Sequence, residues 1–252
     1  MAYPERNASA RYGSVSHDRA AEIDQGLRAY MLKVYNYMAI GLAVTGLVAY
    51  FAANAAVASF GPPLALTAFG DAILNSPLRF VIMLAPLGAV LFLSFRIDRM
   101  SVAAAQGLFW AFAAVMGLSL SSIFLVYTGQ SITQVFFVTA ASFGALSLFG
   151  YTTKRDLTGM GSFLIMGLFG VIIASIVNIF LQSSALGFAV SVIGVLVFAG
   201  LTAYDTQRIK EMYSANDDHA TAGRKAIMGA LQLYLDFINM FVMLLQLFGE
   251  RR

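Results

Sequence analysis

The chain has 252 residues, of which 59% are hydrophobic and only 12% charged. A soluble domain runs nearer half apolar and a quarter charged, so this balance excludes an ordinary soluble protein and points to one polytopic membrane domain. The net charge of +3 would suit nucleic acid, but the cations stand at the ends of apolar stretches, as membrane topology requires, and no cysteine is present for disulfide or thiolate chemistry.

Residues 1–28 are polar and mixed in charge, with no apolar core of a signal peptide. They are predicted as a largely disordered cytoplasmic tail, ahead of a seven-helix transmembrane domain over residues 29–252. Ala20–Lys33 has the pattern of an amphipathic helix feeding a first span at Val34–Ala53. The loop after it contains Gly61-Pro62-Pro63 and a short amphipathic piece, Leu64–Leu74, suited to the membrane surface. Ser76-Pro77 reads as an N-cap followed by proline at the first helical position of a second span, Pro77–Phe95. Inside that span, Pro86 removes a backbone hydrogen bond and, with Gly88 nearby, is expected to kink the helix as a gating hinge.

Arg96, Asp98 and Arg99 form a charged turn before the third span, Val102–Tyr127, which carries small residues at Gly107–Ala111 and Gly117–Ser121 for close helix contact. A short polar turn leads to the fourth span, Ile132–Tyr151. Lys154-Arg155-Asp156 leads to the fifth, Thr158–Leu181. The sixth span, Ala185–Tyr204, ends at Asp205, and its Asp-facing side holds Gly187, Ser191 and Gly194. A polar loop, Thr206–Lys225, precedes the seventh, Ala226–Gly249.

The seventh stretch is long enough to cross a bilayer, which takes about 20 residues, yet it carries Asp236 near its middle. An intramembrane carboxylate costs roughly 2.5–3.5 kcal/mol on insertion scales, so it marks a functional site in need of a partner. Gln232, Asp236, Asn239, Met243 and Gln246 fall within an arc of roughly 80° on this helix. A single polar seam in lipid turns inward, so the expected fold is all-α, with six helices surrounding a central C-terminal helix.

Orientation follows from the cations. Arg6, Arg11, Arg19, Arg28, Lys33, Arg96, Arg99, Lys154, Arg155, Arg208, Lys210, Arg224 and Lys225 all fall on one side; only Arg79, Arg251 and Arg252 fall on the other. The positive-inside rule places the N-terminus in the cytoplasm and the C-terminus outside.

Asp205 and Asp236 are the candidate chemical groups. They meet only if the sixth helix continues past Asp205 or the helices tilt. If they meet, they share one proton, titrate as a coupled pair and, when ionised, offer hard oxygens to a calcium ion. The plainer alternatives are a packing carboxylate for Asp236 and a boundary residue paired with Arg208 for Asp205. Arg96 and Arg99 are placed to latch a carboxylate by a charge-assisted bond, or serve only as flanking cations.

The stretches LTAYDTQRIK at Leu201–Lys210 and LYLDFINMFVMLLQLFG at Leu233–Gly249 resemble the Bax inhibitor-1 family, and Gly26–Tyr50 is similar to its bacterial members. The resemblance implies six helices around a seventh in the bacterial inner membrane. It also implies a pH-sensitive calcium leak governed by a carboxylate pair at Asp205 and Asp236, and an arginine latch, for which Arg96 and Arg99 compete. No cofactor is implied beyond a transient calcium ion. The partners are the lipid bilayer, calcium ions and, by a link known for a bacterial relative, a membrane-bound AAA protease that the protein would regulate without catalysis.

Two enzymatic readings are weaker. An intramembrane aspartyl protease needs Gly-x-Gly-Asp on its second helix, where this chain has Leu233-Tyr234-Leu235-Asp236. A serine protease needs a buried base, and His17 and His219 lie outside the spans. A retinal protein needs a mid-span lysine, and Lys33, Lys154, Lys210 and Lys225 all stand elsewhere.

Overall fold

A computed structural model describes the backbone over residues 6–59 and 65–252, with side chains from Ile23 onward. Helix α1 runs Arg6–Ala56, followed by β1 (Val57–Ser59), β2 (Ala65–Leu66), α2 (Ala68–Leu74) and α3 (Leu78–Arg96). A 3-10 turn at Ile97–Arg99 leads to α4 (Val102–Leu120), α5 (Ile123–Val126), α6 (Gly129–Thr152), α7 (Thr158–Leu181), α8 (Ser184–Glu211) and α9 (His219–Phe248). Seven stretches are long and apolar enough to cross a membrane, and they coincide with the seven expected spans.

The polar tail expected over residues 1–28 falls largely outside the residues described with side chains; from Arg6 its backbone is helical and runs on into the first span. Gly61-Pro62-Pro63 lies outside the described residues. The amphipathic piece beyond it becomes β2 and α2. β2 pairs antiparallel with β1, and Thr67 N–H donates to Ala56 O at 3.0 Å. A Cβ on Gly70 would stand 2.0 Å from Ala56 O, so glycine is what lets α2 close over the end of α1.

Helix starts follow capping chemistry. Ser101, Thr128, Ser183 and Asp218 each accept a backbone N–H from the first turn of α4, α6, α8 and α9. Ser76 accepts from Leu78 N at 3.1 Å, so the expected capping serine stands two residues before the start of α3 and one before its N-cap, Pro77. Pro86 lies within α3 and is buried, and the helix is assigned without interruption across it. The third span is not one continuous helix: α4 ends at Leu120, and Ser121 turns its hydroxyl onto Leu118 O at 2.7 Å.

α9 is the most buried span. It packs on α8, α1, α6 and α4, while α3 packs mainly on α4 and α7 on α8. Tyr234, fully buried on α9, sits with Phe109 and Phe112 of α4 edge-on at ring separations of 6.0 and 5.3 Å. Its hydroxyl lies 2.6 Å from Thr45 Oγ1, which donates to Ala113 O at 2.8 Å, tying α1, α4 and α9 together. Close approach elsewhere depends on glycine. A Cβ on Gly117 would come within 2.5 Å of Thr45 O, and one on Gly150 within 2.2 Å of Ala203 O.

The chain ends in a clip. Thr128 N–H donates to Glu250 O at 2.9 Å and Arg252 N–H to Val126 O at 3.0 Å, so the last residues pair with the turn before α6. Glu250 N–H adds a bond to Ser131 Oγ at 2.9 Å. The end of α9 and the start of α6 therefore lie on the same side of the membrane, as alternating spans require.

Candidate functional site

The sixth helix does continue past Asp205, by six residues to Glu211. Its last turns stay helical because polar partners hold them. Gln207 Nε2 donates to Arg155 O at 2.8 Å and its Oε1 accepts from Leu157 N at 2.8 Å, while Lys210 Nζ donates to Tyr151 O at 2.9 Å. This extension puts Asp205 on the wall of the cavity that Asp236 also lines. Two carboxyls share a hydrogen bond only when one of them carries the proton.

Asp236 is 4% exposed and its Oδ2 has no hydrogen-bond partner. Gln232 Oε1, one turn earlier, is likewise buried and unpartnered. Both residues line a cavity of about 670 Å³ between α7, α8 and α9, reached on its far side by Leu87 of α3. Asn239 also lines it, with its Nδ2 bonded to Leu235 O at 2.8 Å, which leaves the amide oxygen as a free acceptor. The remaining wall is mostly apolar, formed by residues such as Leu168, Val171 and Phe198. Among the lining residues, the only charged or titratable groups besides the pair are Tyr204 and Arg208.

The polar seam is thus divided. Gln232, Asp236, Asn239 and Met243 face this cavity. Gln246 lies in a second chamber at the other end of α9, where its Oε1 accepts from Ser191 Oγ at 2.8 Å.

The structure places three arginines near this end of the spans. Arg96 and Arg99 are exposed, and among the described residues neither forms an ion pair with a carboxylate. Arg208 stands one turn beyond Asp205 on the same helix and lines the same cavity. The i,i+3 spacing of Asp205 and Arg208 is visible in the sequence. A hydroxyl chain is not: Tyr35, Ser147 and Thr206 link α1, α6 and α8 at 2.6 and 2.9 Å, and no local pattern relates residues so distant in the chain. No cluster of three or more His, Cys, Asp or Glu occurs among the described residues, so any cation at the pair must complete its shell from amide oxygens and water.

Outside the spans, two carboxylates are held below their usual range. Asp156 is lowered mainly by its hydrogen bonds from Thr158, and Asp218 by those from Thr221.

A seven-span helical membrane protein with two aspartates lining one cavity between its helices is the class of molecule that emerges. A family model described as "Inhibitor of apoptosis-promoting Bax1" matches residues 27–252, and the chain belongs to this Bax inhibitor-1 family. The inner membrane protein YbhL of Escherichia coli K12 is 48% identical over 229 residues, covering 90% of this chain and 94% of its own. An uncharacterized protein of Rickettsia prowazekii is 49% identical, covering 91% of this chain and 92% of its own. One from Caulobacter vibrioides is 48% identical, covering 95% and 96%.

Proposed function

We propose that the protein is a pH-sensitive calcium leak of a bacterial inner membrane, with Asp205 and Asp236 as its proton switch and transient cation site. The observation that carries this reading is the unpartnered Asp236 Oδ2 beside the unpartnered Gln232 Oε1 in the cavity that also holds Asp205. Calcium takes six to eight oxygen ligands, in flexible geometry and with water among them. A carboxyl pair and two amide side chains on one cavity wall, completed by water, would offer that kind of set for an ion in passage.

The pair works as a switch through like-charge repulsion. With one proton between them, the carboxyls hold α8 to α9. When both ionise, the two charges repel in a poorly solvated site, and each needs a cation. Arg208, one turn from Asp205 on the same helix and lining the same cavity, would take Asp205 and leave Asp236 to the passing ion. In this proposal Arg208 takes the latch role that the resemblance assigns to Arg96 or Arg99. The N-terminus is placed in the cytoplasm and the C-terminus outside by the positive-inside rule.

No catalytic step is assigned. A peptidase would have to bring a substrate backbone against Asp236, and Tyr234 beside it is fully buried in the helix core while Leu235 occupies the cavity wall.

The test is reconstitution into liposomes, with calcium and potassium flux read across pH for the native protein and Asp236→Asn. Native flux that varies with pH, and loses that dependence in Asp236→Asn, is the expected result. Liposomes that move no calcium at any pH would sink the leak and favour a non-catalytic regulator of a membrane protease.

A further inference from the structure

We infer that Met243, seated over Gly194, is the barrier that separates the carboxylate cavity from a second polar chamber at the other end of the seam. The second chamber, of about 530 Å³, is lined by Asn178, Gln182, Ser191, Gln246 and Arg251 among others. It is as rich in polar side chains as the carboxylate cavity is poor. Nothing in the leak mechanism above uses it.

The two chambers lie along one helix pair. α8 and α9 run antiparallel, so Ser191 meets Gln246, Gly194 meets Met243 about one turn further in, and Asp205 and Asp236 line one cavity deeper still. Gln246 and Asp236 are ten positions apart, about 15 Å along the axis. Between Gln246 and Asn239 every residue of α9 is apolar, as is every residue of α8 between Ser191 and Thr202. On α7 the two chambers share no residue: Ser175, Ile176 and Ile179 line the carboxylate cavity, and Asn178 and Gln182 the second chamber.

Met243 is the seam residue at this gap. It lines the carboxylate cavity, and its Cγ and Sδ both come within 3.1 Å of where a Cβ on Gly194 would stand. The thioether therefore occupies space that any other residue at position 194 would contest. An unbranched chain with three rotatable bonds can leave such a seat by rotamer change alone, without moving a helix. An apolar plug about one turn thick between two chambers blocks ions by excluding water, and opens when the plug swings aside.

The inference rests on the leak reading for its purpose, but its geometry can be tested without any ion. The chain has no cysteine, so a single introduced thiol is its own reporter. Asn239→Cys places that thiol in the carboxylate cavity, and Gln246→Cys places it in the second chamber as a control. A small membrane-impermeant thiol reagent is applied to vesicles of each orientation in turn.

From the Gln246 side, Gln246→Cys should label quickly and Asn239→Cys slowly. Adding Met243→Ala should speed Asn239→Cys labelling from that side at least tenfold, leaving the Gln246→Cys rate within twofold. Met243→Leu, which keeps the bulk, should keep labelling slow. If Met243→Ala does not insert, Met243→Val carries the same test at a smaller increase.

Equal rates with and without Met243, or fast labelling of Asn239→Cys from that side in the native background, would overturn the barrier. Faster labelling without any change in calcium flux would leave the barrier standing and count against the leak.

Discussion

The hydroxyls of Thr45 and Tyr234 lie 2.6 Å apart, and the direction of their hydrogen bond is fixed by a third atom. Thr45 spends its only proton on Ala113 O at 2.8 Å, so Tyr234 must be the donor to Thr45 Oγ1. The two truncations are therefore unequal. Tyr234→Phe removes a donor and leaves Thr45 satisfied as a donor, at a cost of about 1 kcal/mol. Thr45→Val leaves a buried Tyr234 O–H without an acceptor, at a cost of about 1–3 kcal/mol. Thermal unfolding in detergent should rank Thr45→Val as the less stable, with the double variant milder than the sum of the singles. The reverse ranking would mean that the bond runs the other way.

The carboxyl pair predicts a second non-additive set. Asp205→Asn and Asp236→Asn should each flatten the pH response of flux, because a coupled pair titrates as one unit. The double variant should be no worse than the more severe single. A pH response surviving in both singles would make these carboxyls packing groups.

Two glycines of α6 should respond oppositely. Gly150→Ala puts a Cβ 2.2 Å from the backbone oxygen of Ala203, where neither helix can yield cheaply, and should destabilise by about 1–3 kcal/mol. Gly144→Ala meets nothing within 4 Å and should be neutral or stabilising by up to about 1 kcal/mol. Melting temperatures that move alike would show that α6 and α8 are not so closely packed.

Asp218 gives a pH prediction outside the membrane. Its bonds from Thr221 hold its folded pKa below the unfolded value, so its stabilisation is present above the usual carboxylate pKa and lost as pH falls through the lower, folded one. Asp218→Asn keeps a capping oxygen without that titration. The gap in melting temperature between native protein and Asp218→Asn should therefore shrink on acidification below about pH 4. A gap that widens there would assign the shift to another group.

Reporter insertions test the orientation. Those after Thr128 and Ser183 should report the outside and one after Lys154 the cytoplasm. A cytoplasmic signal at Ser183 would reverse the placement of the termini.

Hydropathy located every span, because lipid contact demands apolar side chains wherever a helix is immersed. It could not locate ends that project beyond the bilayer. α8 continues from Tyr204 to Glu211, and α9 begins at His219 rather than Ala226, through polar residues on which a lipid-transfer scale is silent. The capping aspartate, Asp218, was a readable signal for the second of these. The extension of α8 decides whether Asp205 meets Asp236, so the site depended on the least legible feature of the fold. The break after Leu120 was hidden for a related reason: Ser121 and Ser122 are as compatible with a helix interior as with its end. The seam on α9 was legible because 3.6-residue periodicity puts it on one face. Its division at Met243 was not, since the residue that makes room for Met243 is a glycine on another helix.

The pairing of Gly249–Arg252 with Val126–Ser131 has a practical consequence. A purification tag or fluorescent protein joined after Arg252 would not hang from a free end, because it would begin at a backbone bridge to the start of the fourth span. Any pull on such a handle is delivered to Thr128 and Ser131, two residues that set the first turn of α6. Flux or stability measured on C-terminally fused protein would then report a molecule under load. Attachment at the N-terminal end, ahead of α1, leaves that bridge untouched.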